Sequence, residues 1–398
     1  MKKYDRFEST QSAGLDMMET EIMEPIEKPN KKSKETKPEP KSEGKLSRLI
    51  IDRVSSVIEK SKIHYYTPES SLDSIRNQNY GSDESIFYVS TLKSVWDSFI
   101  IPSAVTTNRI DGSMPLVMMS TNLMSNMKLT REWIKRQLFE NSRILLVDKN
   151  SNKMHYRQMI KTIDDTLSNN ESLLTFPEGS RSRTGLVGDF DPSVFVGAIE
   201  ASKKKTVKII PVNVDYSKVL ELSHLIKGTN YISSLYTGIT TLNKVELGNV
   251  YLTLGRPITV SPDMTFENDS KYDKKTPLRE RLADNVRNYC LDLVKIQPIN
   301  VVSEAINRMN VKPKDRIRLY GSKFENSKFE DVLESVVDDL RENIYNSSKF
   351  REFNKLSPSV DLILESGIPT RDGEIIVTEK LLNESKIYAN YIRHYFMK

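Results

Sequence analysis

Apolar positions along the chain fall into two kinds of pattern. Short runs, nearly continuous, recur at Ile86-Phe87-Tyr88-Val89, Ile144-Leu145-Leu146-Val147, Leu173-Leu174-Thr175-Phe176, Val207 to Val214 and Val250 to Leu254. Each is the length of a strand, and Pro177 with Gly179 and Gly255 with Pro257 stop two of them. Between them apolar residues return at helical spacing, as in Met159, Ile160, Ile163 and Leu167. Strands alternating with helices predict an α/β core with a mixed, largely parallel sheet flanked by helices. Leu46, Leu49, Ile50, Val54 and Ile58 predict a helix ahead of that core.

From residue 272 the strand-like runs give way to helices. Leu278, Leu282, Val286, Leu293 and Val294 predict an amphipathic helix opening at Thr276-Pro277, where a proline suits the first turn. Phe329, Val332, Leu333, Val336, Leu340 and Ile344 predict another, and Tyr388, Ile392 and Tyr395 a last one. Residues 1–45 lack apolar periodicity. Lys28 to Lys45 holds seven lysines against three glutamates and is rich in proline and serine, so it reads as a disordered charged tail. It could tether the protein to anionic lipid at about 1 kcal/mol per basic residue, but the interspersed glutamates favour a solvated linker. The expected organisation is a tail over 1–45, an α/β domain over 46–271 and a helical C-terminal appendage over 272–398.

Composition narrows the classes. In 398 residues, 37% apolar and 28% charged composition fits a folded, water-exposed body. One cysteine, Cys290, excludes an internal disulfide, and four histidines without zinc-site spacing make a metal site unexpected. No apolar run reaches the length of a membrane span, and the first residues lack the apolar core of a secretory signal, so a cytoplasmic location is expected. The net charge of +5 comes from 59 basic and 54 acidic residues. Without basic stripes interleaved with aromatics, this does not point to nucleic acid.

Candidate chemistry concentrates in Phe176-Pro177-Glu178-Gly179-Ser180-Arg181-Ser182-Arg183-Thr184-Gly185. A strand ends, the chain turns sharply, and two arginines follow. Exposed backbone N–H groups beside a guanidinium fork suit a phosphate ester or a developing oxyanion, although a polar turn with surface arginines is an equal reading of the bare residues.

This decapeptide resembles the third signature block of the glycerolipid acyltransferases, in the form typical of the glycerol-3-phosphate and dihydroxyacetone-phosphate acyltransferase branch. Leu145 to Lys149 resembles the second block, Ile210-Pro211-Val212-Asn213-Val214-Asp215-Tyr216 the fourth, and Val250 to Ile258 a later strand. Tyr388 to Phe396 resembles a helix that follows the catalytic domain in that branch. The resemblance covers roughly residues 80–300 and this tail segment. It implies a glycerol-3-phosphate acyltransferase-like fold and transfer of an acyl group to a hydroxyl of a phosphorylated glycerol. The donor would be a thioester of coenzyme A or acyl carrier protein, with no cofactor, at a peripheral membrane surface. Glu178, Gly179, Ser180, Arg181 and Arg183, with Lys149, would bind the acceptor. Arg183 could be a surface charge while Arg181 alone points inward, and Glu178 could hold the acceptor's hydroxyls or cap the turn.

The first block departs from the family. Its pattern is His-x-x-x-x-Asp, in which histidine takes the hydroxyl proton and aspartate holds the imidazole. Here Asp97 occupies the aspartate position and Leu92 the histidine position, in Tyr88-Val89-Ser90-Thr91-Leu92-Lys93-Ser94-Val95-Trp96-Asp97. Losing a positioned base costs roughly 10²–10⁴-fold in rate, or about 3–5 kcal/mol of barrier. A catalytically impaired protein that binds lipid or phosphate ester without turnover is therefore the alternative. His64 spells His-x-x-x-x-Glu with Glu69 but sits ahead of the predicted core, with Pro68 against the turn. His155 reads as a surface helix position, and His224 and His394 lie far along the chain. Lys93 reads as a solvated charge. Met114-Pro115-Leu116-Val117-Met118-Met119 could line an acyl groove, but core is the preferred reading.

Overall fold

The computed structural model describes residues 62–66, 84–94, 96–107, 114–120, 144–147, 153–219, 222–227, 249–265, 272–273, 275–318, 327–344, 360–371 and 374–397. The charged tail, the helix expected over Leu46–Ile58, and Lys149 lie outside this set.

Among the described residues, eight strands form one sheet: β1 (Lys62–Tyr66), β2 (Glu84–Ser90), β3 (Leu116–Ser120), β4 (Ile144–Val147), β5 (Leu173–Thr175), β6 (Thr206–Tyr216), β7 (Asn249–Leu254) and β8 (Ile258–Val260). Their order is β1-β7-β6-β2-β5-β3-β4, with β8 beside β6. Pairing is parallel throughout β6-β2-β5-β3-β4 and between β1 and β7. It turns antiparallel where β6 meets β7 and β8. The mixed, mostly parallel sheet is thus present, and the five apolar runs coincide with β2, β4, β5, β6 and β7. Met118 and Met119 lie in β3 and are buried in the core, whereas Met114 ahead of the strand is exposed.

Both faces of the sheet are covered, which is why its strands read as continuous rather than alternating apolar runs. On β2, Phe87 and Val89 enter one core with Ile163 and Leu167 of α2 (Lys153–Ser168) and Phe195 and Ala198 of α3 (Ser193–Ser202). Leu282 and Val286 of α5 (Leu278–Asp292) complete that side. Ile86 and Tyr88 point the other way. They join Trp96, Ile100 and Ile101 at the start of α1 (Asp97–Thr107), and also α6 (Pro298–Arg308), α7 (Ser327–Ile344) and α9 (Glu379–Asn390). The C-terminal helices therefore share a core with the sheet. They are accompanied by short helices α4 (Leu222–Ile226) and α8 (Val360–Glu365), a two-stranded ribbon of β9 (Arg316–Arg318) and β10 (Glu374–Ile376), and a 3₁₀ turn over Arg393–Phe396.

β1 corrects one expectation. His64 was expected ahead of the core, yet it lies within the sheet, registered against Tyr251 on an edge strand. Its Nε2 pairs with Asn249 Oδ1 at 3.2 Å and its ring stacks on Tyr251.

Candidate active site

The register of the parallel strands brings two loops to one end of the sheet. Val89 pairs with Thr175 and Ser90 with Val212, so the segments that leave β2 and β5 emerge side by side, next to the second half of β6. Carboxyl ends of parallel strands are where α/β sheets hold ligands.

The first loop is wound around Asp97. Fully buried in the first turn of α1, its Oδ2 accepts the N–H groups of Lys93 at 2.7 Å and Ser94 at 2.9 Å. Its Oδ1 accepts the hydroxyl of Tyr216, brought over by β6. Asp97 thus shapes the loop, and a carboxylate at a helix N-terminus also complements the helix dipole. Leu92 is 5% exposed and belongs to the apolar core with Tyr88 and Trp96. Its side chain is packed away, and its backbone N–H donates to Glu178 Oε1 at 3.0 Å.

Lys93 is the residue that sequence reasoning misplaced. It is not a solvated charge: it is 5% exposed, and its Nζ lies 2.5 Å from Asp215 Oδ1. Asp215 Oδ2 accepts from Asn213 Nδ2 at 2.6 Å and from Lys295 N at 2.7 Å, and Thr91 Oγ1 donates to Asn213 Oδ1 at 3.3 Å. The ammonium also stands 5.4 Å from the centre of the Tyr391 ring. A cation this deep is tolerated because a carboxylate and a ring face compensate its lost hydration. The network ties the first block to the fourth and to the C-terminal helices. Asp215 and Tyr216, quoted only as part of a strand motif, prove to be polar partners of the first loop. Asp215 is an acidic residue within the otherwise apolar second half of β6, which hinted that a cation faces it.

The third-block turn is built differently. Gly179 has φ of 69° and closes a tight turn, its N–H donating to Phe176 O at 2.8 Å. Glu178 caps rather than reaches outward: Oε1 takes the Leu92 N–H and Oε2 the Gly188 N–H at 2.9 Å. Burial raises its pKa above the ordinary glutamate value, opposed by those two N–H bonds and by the charges of Lys93 and Arg287. Arg287 itself holds the returning strand of the turn, donating to Gly188 O at 2.8 Å and Val187 O at 3.0 Å. Gly185 has φ of 84°, and a Cβ there would stand 2.3 Å from Ile387 O of α9. Asn390 of α9 donates to Thr184 O at 2.8 Å. Of the two arginines, Arg181 is half-buried and Arg183 exposed, with Ser180 also exposed.

Leu92, Asp97 and Glu178 therefore form one cluster through the first loop, while Arg183 stands on the surface. His155 falls in α2 and His224 in α4, with side chains outside the described set, and the His394 ring lies 4.0 Å from Tyr395 in the 3₁₀ turn. Cys290 is buried beneath β2, its thiol pKa pushed up by burial, which makes it a poor nucleophile. Among the described residues no cluster of metal-ligating side chains occurs, and no helix is long and apolar enough to cross a membrane.

Residues 71–215 match the family model described as Acyltransferase. No curated protein matches the chain. A solved structure that it resembles is the 1-acyl-sn-glycerophosphate (LPA) acyltransferase of Thermotoga maritima. That match has 16% identity and a TM-score of 0.32, over 61% of this chain and 77% of that one.

Proposed function

Taking residues 71–215 as an acyltransferase domain, we propose that this protein moves an acyl group from a thioester to a hydroxyl of a phosphorylated glycerol. The observation that carries the reading is the third-block turn. Its Glu178 is bonded to the first loop, and the half-buried Arg181 follows three residues later, at the carboxyl end of β5. Arg181 supplies the phosphate contact, for which a planar guanidinium suits better than a point charge. Gly179, Ser180 and Arg183 complete the acceptor site at its rim, and Lys149 is a further acceptor-binding candidate from the sequence. The acceptor oxygen bonds to the thioester carbonyl carbon, the carbon–sulfur bond breaks, and the hydroxyl proton ends on the departing thiol. Leu92 carries no part of that proton path. Lys93 is buried and its ammonium is spent on Asp215, so it takes no part in the transfer. Asp97 positions the loop in place of orienting an imidazole. Coenzyme A or acyl carrier protein presents the donor, and the acceptor arrives at a peripheral membrane surface.

Leu92 favours a second reading, in which the fold binds the phosphate ester without turning it over. Initial rates with glycerol 3-phosphate and palmitoyl-CoA separate the two. Product above a heat-killed control supports acyl transfer, and none defeats it. Leu92→His then asks whether the site lacks only its base. A gain approaching the 10²–10⁴-fold worth of a general base shows the surrounding site to be intact.

A further inference from the structure

The third-block turn is held by a helix that comes much later in the chain. The family match ends at residue 215, whereas α9 runs over Glu379–Asn390. Two residues of α9 meet the turn, and at a spacing of three they share one face of the helix. The Ile387 carbonyl lies so near Gly185 that a Cβ there would stand 2.3 Å from it. Asn390 Nδ2 donates to Thr184 O at 2.8 Å. Glycine lets backbone touch backbone, and the carboxamide fixes the register of that contact.

This anchor reaches the arginines through bonds within the turn. Thr184 N donates to Ser182 Oγ at 3.3 Å, the Ser182 and Thr184 hydroxyls are 3.2 Å apart, and Leu186 N donates to Thr184 Oγ1 at 3.3 Å. Residues 182–186 are thus laced to one another, with Ser182 standing between Arg181 and Arg183. The returning side of the turn is held separately, by Arg287 on the Val187 and Gly188 carbonyls and by Glu178 on the Gly188 N–H. Asn390 holds the side that carries the arginines.

Helix α9 can act as a fixed post because it is itself anchored. Ile387 and Tyr388 are buried in the core that also holds Leu92 and Trp96. The Tyr388 hydroxyl accepts from Val219 N at 3.0 Å, just past β6, and Asn300 Nδ2 of α6 donates to Tyr388 O at 2.8 Å. The Tyr391 ring, one residue beyond Asn390, faces the Lys93 ammonium. One end of one helix therefore touches the segments that follow β2, β5 and β6. Resting on the reading of the third-block turn as the acceptor site, we propose that Asn390 is a positioning residue. By holding Thr184 it sets where Arg181 meets the acceptor's phosphate, so the C-terminal helix completes the acceptor site.

Steady-state kinetics of the full chain with glycerol 3-phosphate and palmitoyl-CoA, joined to hydrogen–deuterium exchange over residues 178–188, test this. Asn390→Leu keeps the side-chain volume and loses the donor. Its KM for glycerol 3-phosphate should rise about fivefold, the worth of one hydrogen bond. Its KM for palmitoyl-CoA should hold, and exchange should quicken over 178–188 and not elsewhere. Asn390→Gln retains the carboxamide and should recover part of the loss. Asn307→Leu removes the bond from α6 to Ser385 O of the same helix. It should cost as much in denaturation midpoint as Asn390→Leu, yet leave the glycerol 3-phosphate KM unchanged. An unchanged KM or unchanged exchange in Asn390→Leu overturns the proposal, as does an equal rise in KM in Asn307→Leu. If the parent shows no turnover, acyl transfer fails as a reading, and the dissociation constant of glycerol 3-phosphate by calorimetry replaces KM, with the same fivefold change expected. No binding by the parent defeats the acceptor reading and this proposal with it.

Discussion

The two loops that meet at the end of the sheet differ in where their polar groups are spent. In the first loop they are turned inward: Asp97 is bound by two N–H groups and a tyrosine hydroxyl, and Lys93 by Asp215. In the third-block turn they are presented along an open backbone, with glycines at positive φ and arginines at the half-buried and exposed positions. A loop whose charges are internally neutralised is a structural joint. The turn keeps Arg181 half-buried and Arg183 exposed, which is the arrangement the proposed acceptor site draws on. Leu92, standing where the resemblance expects histidine, belongs to the joint: its side chain is in the core and its N–H donates to Glu178.

That contrast can be broken most strongly at the buried ion pair. Asp215→Ala leaves the Lys93 ammonium buried without its partner and should cost about 3–5 kcal/mol, read as a lowered denaturation midpoint. Lys93→Met combined with Asp215→Leu should recover much of that loss. A single variant as stable as the parent would show the first loop to be looser than described. Next in size is Gly185→Ala. It forces a side chain into the left-handed region and against the Ile387 carbonyl, at an expected cost of about 1–3 kcal/mol. In contrast, Arg183→Ala, on the exposed arginine, should change stability by less than about 0.5 kcal/mol.

Glu178 gives the smallest and most diagnostic effect, through pH. Its folded-state pKa is raised, so the protonated carboxyl is favoured by folding. The stability it contributes is complete below the unfolded glutamate value. It is lost as pH rises from there through the raised folded value. Glu178→Gln removes this dependence. Its stability relative to the parent should improve as pH rises above the ordinary glutamate value in chemical denaturation. A constant difference above that value would mean the carboxyl is not desolvated.

How much of this was legible beforehand varied with burial and periodicity. The runs around Phe87, Leu145, Leu174, Ile210 and Leu252 declared themselves because strands covered on both faces carry apolar residues at every position. Helix α1 did not: Asp97 to Thr107 is apolar on nearly all sides and contains Pro102, so it shows no amphipathic stripe. Helix α6 had a usable signal in Pro298 at its first position, yet Val301, Val302 and Ile306 gave too short a repeat to separate it from a strand. β1 mixes Lys62, His64 and two tyrosines at a sheet edge, a pattern that looks like a loop. Asp97, Glu178 and Arg181 stood out in the sequence through the motif alone. The inward turn of Lys93 did not, because its partner lies 122 positions away on a strand that pairs with β2 only in the fold.

The central claim is that the third-block turn holds an anionic acceptor through Arg181. The most direct measurement is the dependence of initial rate on glycerol 3-phosphate concentration in the parent and in Arg181→Ala, with palmitoyl-CoA saturating. Turnover is expected in the parent, with a KM raised about tenfold or more in the variant, the worth of one charge-assisted hydrogen bond pair. Turnover with an unchanged KM in Arg181→Ala would contradict it.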